Sequence, residues 1–312
     1  MSDAPDPREP YDAVATAPAQ PSTPPILEAA HARLEEWEGE ALVVNLFEGV
    51  TSPGGATGAV DRALGGAVSE LIASGELTGK AGQVAVVHTR GALPVKRVLV
   101  VGLGPSDGFG PEAARRAAAS AAKRAQELGV RHLATIAHGA GVGGLDPARS
   151  ARATLEGSGL AAYEFRGWKR RGEERARLER VTLLEADTGK LPALEAGARL
   201  ARAVVRGSYL ARDLVNAPAN VVTPERLAAA ATGLSETVGL RVTVGDAAWA
   251  AEQRMGALLA VARGSENGPR FVVMEHNAGR DDLPTVVLVG KGVTFDTGGF
   301  SLKTRDGMVP MK

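Results

Sequence analysis

The sequence contains no cysteine among its 312 residues. That excludes disulfides, thiolate metal sites and a cysteine nucleophile. It also lacks a charge surplus, since 36 basic residues face 36 acidic ones. Broad electrostatic binding to DNA, RNA or an anionic membrane needs a basic excess, so neither a nucleic-acid nor a membrane partner is expected. No run approaches the length of apolar residues that spans a bilayer as a helix. The N-terminus lacks the basic, apolar and small-residue order of a secretory signal, and a soluble cytoplasmic protein is expected. The five histidines (His31, His88, His132, His138 and His276) are scattered, without HExxH spacing. Lysine is scarce too, at 8 against 28 arginines, yet Lys291, Lys303 and Lys312 all fall in the last 22 positions. Such clustering suggests a segment that needs amines where guanidinium groups will not serve.

What is present suggests two domains. Seven of the eighteen prolines lie before residue 26, among Ala, Ser, Thr and Asp. Residues 1–27 are therefore expected to be a disordered tail, unable to bury enough apolar surface to offset its ordering entropy. Strands are then expected at Ala41–Phe47, Gln83–His88, Arg97–Leu103, His132–Ala137 and Arg180–Glu185. Helices are expected over Ala56–Ser74, Pro111–Leu128 and Pro147–Phe165. This alternation implies an α/β domain over residues 28–190 with a mostly parallel sheet covered on both faces. The charged run Arg166–Arg180 is interrupted by glutamates and reads as a solvated turn.

A boundary is expected near residues 186–192, before a helix over Leu191–Asn216. Residues 191–312 then read as the first part of a second α/β domain with a central sheet. Its expected helices are Pro224–Val238 and Ala247–Met255, and its expected strands Arg241–Gly245, Arg270–Glu275 and Thr285–Val289.

Chemistry concentrates after the last of these strands. From Gly290 to Lys303 the chain offers four glycines, two lysines and Asp296. In open α/β sheets, sites form where strands end and loops begin. P-loop spacing is absent. A different reading is a non-catalytic α/β module for a nucleotide-like ligand or a protein partner. It rests on Gly102 and Gly104 after a hydrophobic strand, with Asp107 where a third glycine would stand.

Three ordered blocks resemble the leucyl (cytosol) aminopeptidases: Ala211–Asn220 with Thr223-Pro224-Glu225, Met255–Val261 with Gly264-Ser265, and Lys291–Gly299 followed by Ser301-Leu302-Lys303 and Met311-Lys312. The resemblance covers about residues 200–312, and the first half shares only Val101–Gly104. It implies a metallo-aminopeptidase that releases N-terminal leucine and similar residues from peptides, as a homohexamer. It also implies two divalent cations per subunit, Mn2+ or Zn2+, that activate water. Asp296 matches the carboxylate that bridges both cations. Lys291 matches an amine ligand, neutral beside the metal. Lys303 matches an ammonium that stabilises the oxyanion of the tetrahedral intermediate, and Met311 a wall of the substrate pocket. Asp213, Asn216 and Asn220 are assigned structural roles. The remaining family ligands belong beyond Lys312, so the chain as given is expected to be inactive.

Overall fold

The structure, a computed structural model, describes residues 21–165 and 176–308. The first compact unit runs to Ala211 and the second begins at Arg212.

The first unit is a six-stranded sheet with helices on both faces. In chain order its elements are β1 (Ile26–His31), β2 (Ala41–Phe47), α1 (Gly55–Ala63), α2 (Ala67–Ala73), β3 (Val84–His88), β4 (Arg97–Gly104), α3 (Pro111–Glu127), β5 (His132–Thr135), α4 (Pro147–Ala161), β6 (Arg180–Glu185) and α5 (Leu191–Asn216). The strands lie in the order β1-β6-β5-β2-β4-β3, and only β3 runs antiparallel to its neighbour. β2 and β4 are apolar on both faces because a layer covers each face. Alternate side chains split between two cores. Val43, Leu99, Val101 and Leu183 point into one, and Leu42, Val44, Val98 and Val100 into the other.

On the first face α3 presents an alanine stripe (Ala114, Ala117, Ala118, Ala121, Ala122 and Ala125), all buried. Small side chains let α4 approach so closely that a Cβ at Gly157 would overlap the Arg115 carbonyl. Each helix opens with proline, and the Asp146 carboxylate caps α4 by accepting from Arg149 N at 3.1 Å. The helix pair is locked by buried Glu156, which takes Arg115 Nη2 at 2.8 Å and Arg152 Nε at 2.6 Å. A carboxylate out of water is tolerated because both guanidinium groups are bonded to it.

Several expectations shift. β1 begins at Ile26, inside the expected tail, with Leu27 only 1% exposed and Ile26 opposite Arg180 of β6. Its weak apolar pattern, ILEAAH, hides it in the sequence. The expected helix over Ala56–Ser74 is broken where Gly65 and Gly66 adopt φ of 66° and 90°. The second piece is capped from the first, as Asp61 Oδ1 accepts from Val68 N at 2.8 Å. α5 starts where the boundary was expected, but Leu194, Ala198, Ala201, Val205 and Tyr209 are buried in the first unit's core. Tyr209 Oη also donates to Gly159 O at 2.9 Å. The compact units accordingly divide at Ala211 and Arg212. The charged run falls largely on residues 166–175, outside the described residues, as do residues 1–20 of the expected tail.

The second unit contains α6 (Pro224–Val238), β7 (Arg241–Gly245), α7 (Ala247–Glu252), α8 (Gly256–Ala262), β8 (Phe271–Glu275) and α9 (Arg305–Met308). Thr223 and Asp246 cap α6 and α7, and Gly239 ends α6 with φ 70°. β7 and β8 pair antiparallel, with Arg241 opposite Glu275 and joined to it by two bonds of 2.7 and 2.6 Å. Trp249 stacks on Phe271 with ring centroids 5.6 Å apart.

The expected strand Thr285–Val289 is not formed. It is irregular, with Val286 80% and Leu288 91% exposed. A segment apolar on both faces suits an interior strand, which needs neighbours on both edges and a layer over each face. Among the described residues none pairs with it.

Candidate functional site

The loop after residue 290 folds around its carboxylate. Asp296 Oδ1 accepts from Gly298 N at 2.8 Å, an aspartate turn closed on its own backbone. Gly298 (φ 87°) and Gly299 (φ 65°) then reverse the chain in the left-handed region. A Cβ at Gly298 would also overlap the Ser301 carbonyl. The reversal is fastened by Lys303 N, which donates to Thr297 O at 2.9 Å.

This turn delivers Lys303 onto Asp296. The ammonium lies 2.8 Å from Asp296 Oδ2 and donates to Asp296 O at 3.1 Å. Asp296 therefore has its pKa held below the usual carboxylate value, first by the Lys303 hydrogen bond, then by the Gly298 amide and the charges of Lys303 and Lys291. The carboxylate is about 40% exposed, so water screens the attraction strongly. Lys291 is exposed and contributes to the same field. Met311 lies outside the described residues.

A pair of divalent cations calls for several oxygen or nitrogen donors per ion. Among the described residues no group of three or more His, Asp or Glu side chains converges. The loop offers one carboxylate, already engaged at both oxygens, and amines. The donor set present does not fit two cations.

The three sequence blocks meet beside this loop. Asn216, Asn220, Ser265, Asn267, Thr294 and Phe295 line an open hollow of about 670 Å³ in the second unit. Asn216 and Asn220, assigned structural roles from sequence, are thus wall residues of the hollow. Phe295 immediately precedes Asp296. The signal available beforehand was the density of carboxamides after α5, where apolar periodicity stops.

The nucleotide-module reading loses its support. A Cβ at Gly102 would overlap the Lys80 carbonyl, and Gly104 takes φ 78° against Ala81. Both glycines therefore serve the protein's own segment 79–81. The following loop places Phe109 edge-on against Phe47 at 5.1 Å, with Gly139 and Gly143 packed on its ring. His138 is fully buried, and burial lowers its pKa to about 4. It lies 3.0 Å from Asn45 Nδ2 and belongs to the packing of this region.

The fold and loop define a two-unit α/β chain whose candidate site residues lie in its second unit. Residues 43–172 match the N-terminal domain of the cytosol aminopeptidase family, and residues 209–312 match its catalytic domain. The chain belongs to that family. It is 41% identical over 258 residues to a probable cytosol aminopeptidase of Geotalea uraniireducens, covering 81% of this chain and 51% of the relative. Identity to the cytosol aminopeptidase of Pseudomonas aeruginosa is 38% over 281 residues, covering 90% and 56%. A tomato leucine aminopeptidase mutant superposes with TM-score 0.75 at 29% identity, covering 91% of this chain and 58% of that one. The bottromycin maturation enzyme BotP in complex with Mn gives TM-score 0.62 at 30% identity, covering 86% and 51%. The chain spans about half the length of the curated relatives it matches.

Proposed function

We propose that this chain supplies the N-terminal domain and the Asp296–Lys303 loop of a metal-dependent aminopeptidase that releases leucine and similar residues from the N-termini of peptides. The carrying observation is the turn that sets Asp296 and Lys303 side by side in a region matching the family's catalytic domain. Within it, Asp296 and Lys291 would contribute donors toward divalent cations, Mn2+ or Zn2+, once further carboxylates complete the set; likeness to BotP in complex with Mn supports the metal dependence alone. Lys303 supplies a point charge suited to a developing oxyanion. By the resemblance, Met311 is assigned to the substrate pocket. The functional unit is cytoplasmic and a homohexamer, in keeping with the family. The N-terminal role falls to residues up to Ala211, with most of α5, and the catalytic-domain role to the unit that begins at Arg212.

The described donors are too few for two-cation hydrolysis, so catalysis requires more carboxylates than they bring together. The purified chain, given leucine p-nitroanilide with Mn2+ or Zn2+, is expected to release no p-nitroaniline. Metal-dependent turnover by this chain would overturn the count of donors.

A further inference from the structure

The turn at residues 296–303 puts a cation on Asp296 without any metal. Its shape is set locally, by the left-handed backbone at Gly298 and the bond from Lys303 N to Thr297 O. The Lys303 ammonium then holds two oxygens of a single residue, Oδ2 and the main-chain O of Asp296, at 2.8 and 3.1 Å. An ammonium has three rotatable donors and can serve both. The second bond matters, because it tethers the ammonium even when the carboxylate is engaged elsewhere. Oδ1 is occupied by Gly298 N, and Lys291 adds a further positive charge to the field at the carboxylate.

A divalent ion bound at Oδ2 would sit about 2.0–2.2 Å from that oxygen, on the side the ammonium occupies. Two positive centres cannot share that position in a partly exposed, incompletely ligated site. We propose that Lys303 is a built-in counter-ion of Asp296, and that a divalent cation reaches this carboxylate only by displacing it. This rests on reading Asp296 as a ligand carboxylate. It adds to that reading a competition between ammonium and metal at one oxygen.

The test uses the ¹⁵N-labelled chain and Mn2+ alone, reading paramagnetic broadening of the Gly298 and Gly299 amides, which report weak binding that a content assay would miss. Wild type is expected to broaden little. Lys303→Met should broaden at Mn2+ concentrations lower by about two- to fivefold, the size that removal of one part-exposed, water-screened charge allows. Lys303→Arg keeps the charge and should stay close to wild type, and unchanged amides of β7 and β8 establish that the second unit of each variant is folded. Lys303→Met combined with Asp296→Asn should return to the wild-type response. Equal broadening in wild type and Lys303→Met overturns the counter-ion proposal while leaving Asp296 as a ligand. Broadening that survives Asp296→Asn, or its absence in every variant, overturns both the proposal and the reading beneath it.

Discussion

Acidification should weaken the first unit through His138. The imidazole is fully buried at the end of the sheet, with its pKa lowered by burial to about 4. Thr154 Oγ1 meets its amide at 3.1 Å, Ser150 Oγ donates to its carbonyl at 2.8 Å, and Asn45 Nδ2 faces its ring at 3.0 Å. The ring therefore cannot turn toward water without breaking the loop that holds it. Unfolded, the same histidine titrates near 6.5, so between these values the unfolded chain binds the extra proton. Stability from this group is fully present above pH 6.5 and is lost as pH falls toward 4. Linkage gives a loss of roughly 2–3 kcal/mol between pH 7.5 and 4.5. Urea denaturation at those two pH values measures it, compared with His138→Gln, which does not titrate. The difference between the two proteins' pH dependences isolates this residue from the carboxylates. An identical pH dependence in wild type and variant would refute the reasoning.

Other outcomes follow from the same contacts. Tyr209→Phe removes the bond to Gly159 O and should cost about 1 kcal/mol in denaturant unfolding, with the site loop unaffected. Gly157→Leu should cost more than 2 kcal/mol by the same measure, because α3 cannot retreat from the added side chain without opening its alanine seam. Limited proteolysis should leave a core ending near Ala211, since the inner face of α5 is buried in the first sheet's core. A core ending near 186–192 would mean that the helix detaches from it. Joined to the remaining half of a relative, Lys303→Ala should lower kcat by about 10²–10³ without losing bound metal. Lys291→Ala in the same fusion should lower metal content, and a reversed pattern would exchange the two roles.

Much of the first unit was legible because its strands are apolar runs and its helices open on proline. β2, β4, α3 and β6 fall where hydrophobic pattern and punctuation place them. β1 was not legible, because its alternation is too weak to mark a strand until β6 lies beside it. The helix break at Gly65-Gly66 was open to reading, yet an apolar period running through both halves masks it. Thr285–Val289 shows the opposite error. Its side chains say strand, but strands are made by neighbours, and pairing is not a property of the segment itself. At the site, Lys291, Asp296 and Lys303 were singled out by the family resemblance, whereas the ion pair was not legible. Its partners lie seven positions apart, and only the left-handed turn at Gly298 brings them together. The hollow lined by Asn216, Asn220 and Phe295 joins segments nearly eighty residues apart, a distance no local pattern spans.

The most direct test of the central claim, that the chemistry of this chain turns on Asp296, is leucine release by the chain fused to the remaining catalytic half of the Geotalea relative. Both the fusion and its Asp296→Ala variant would be assayed with Mn2+ and analysed for bound metal. The fusion is expected to hydrolyse leucine p-nitroanilide, and Asp296→Ala to lose both the activity and bound metal. A variant that retained its metals and most of its turnover would contradict the assignment of Asp296.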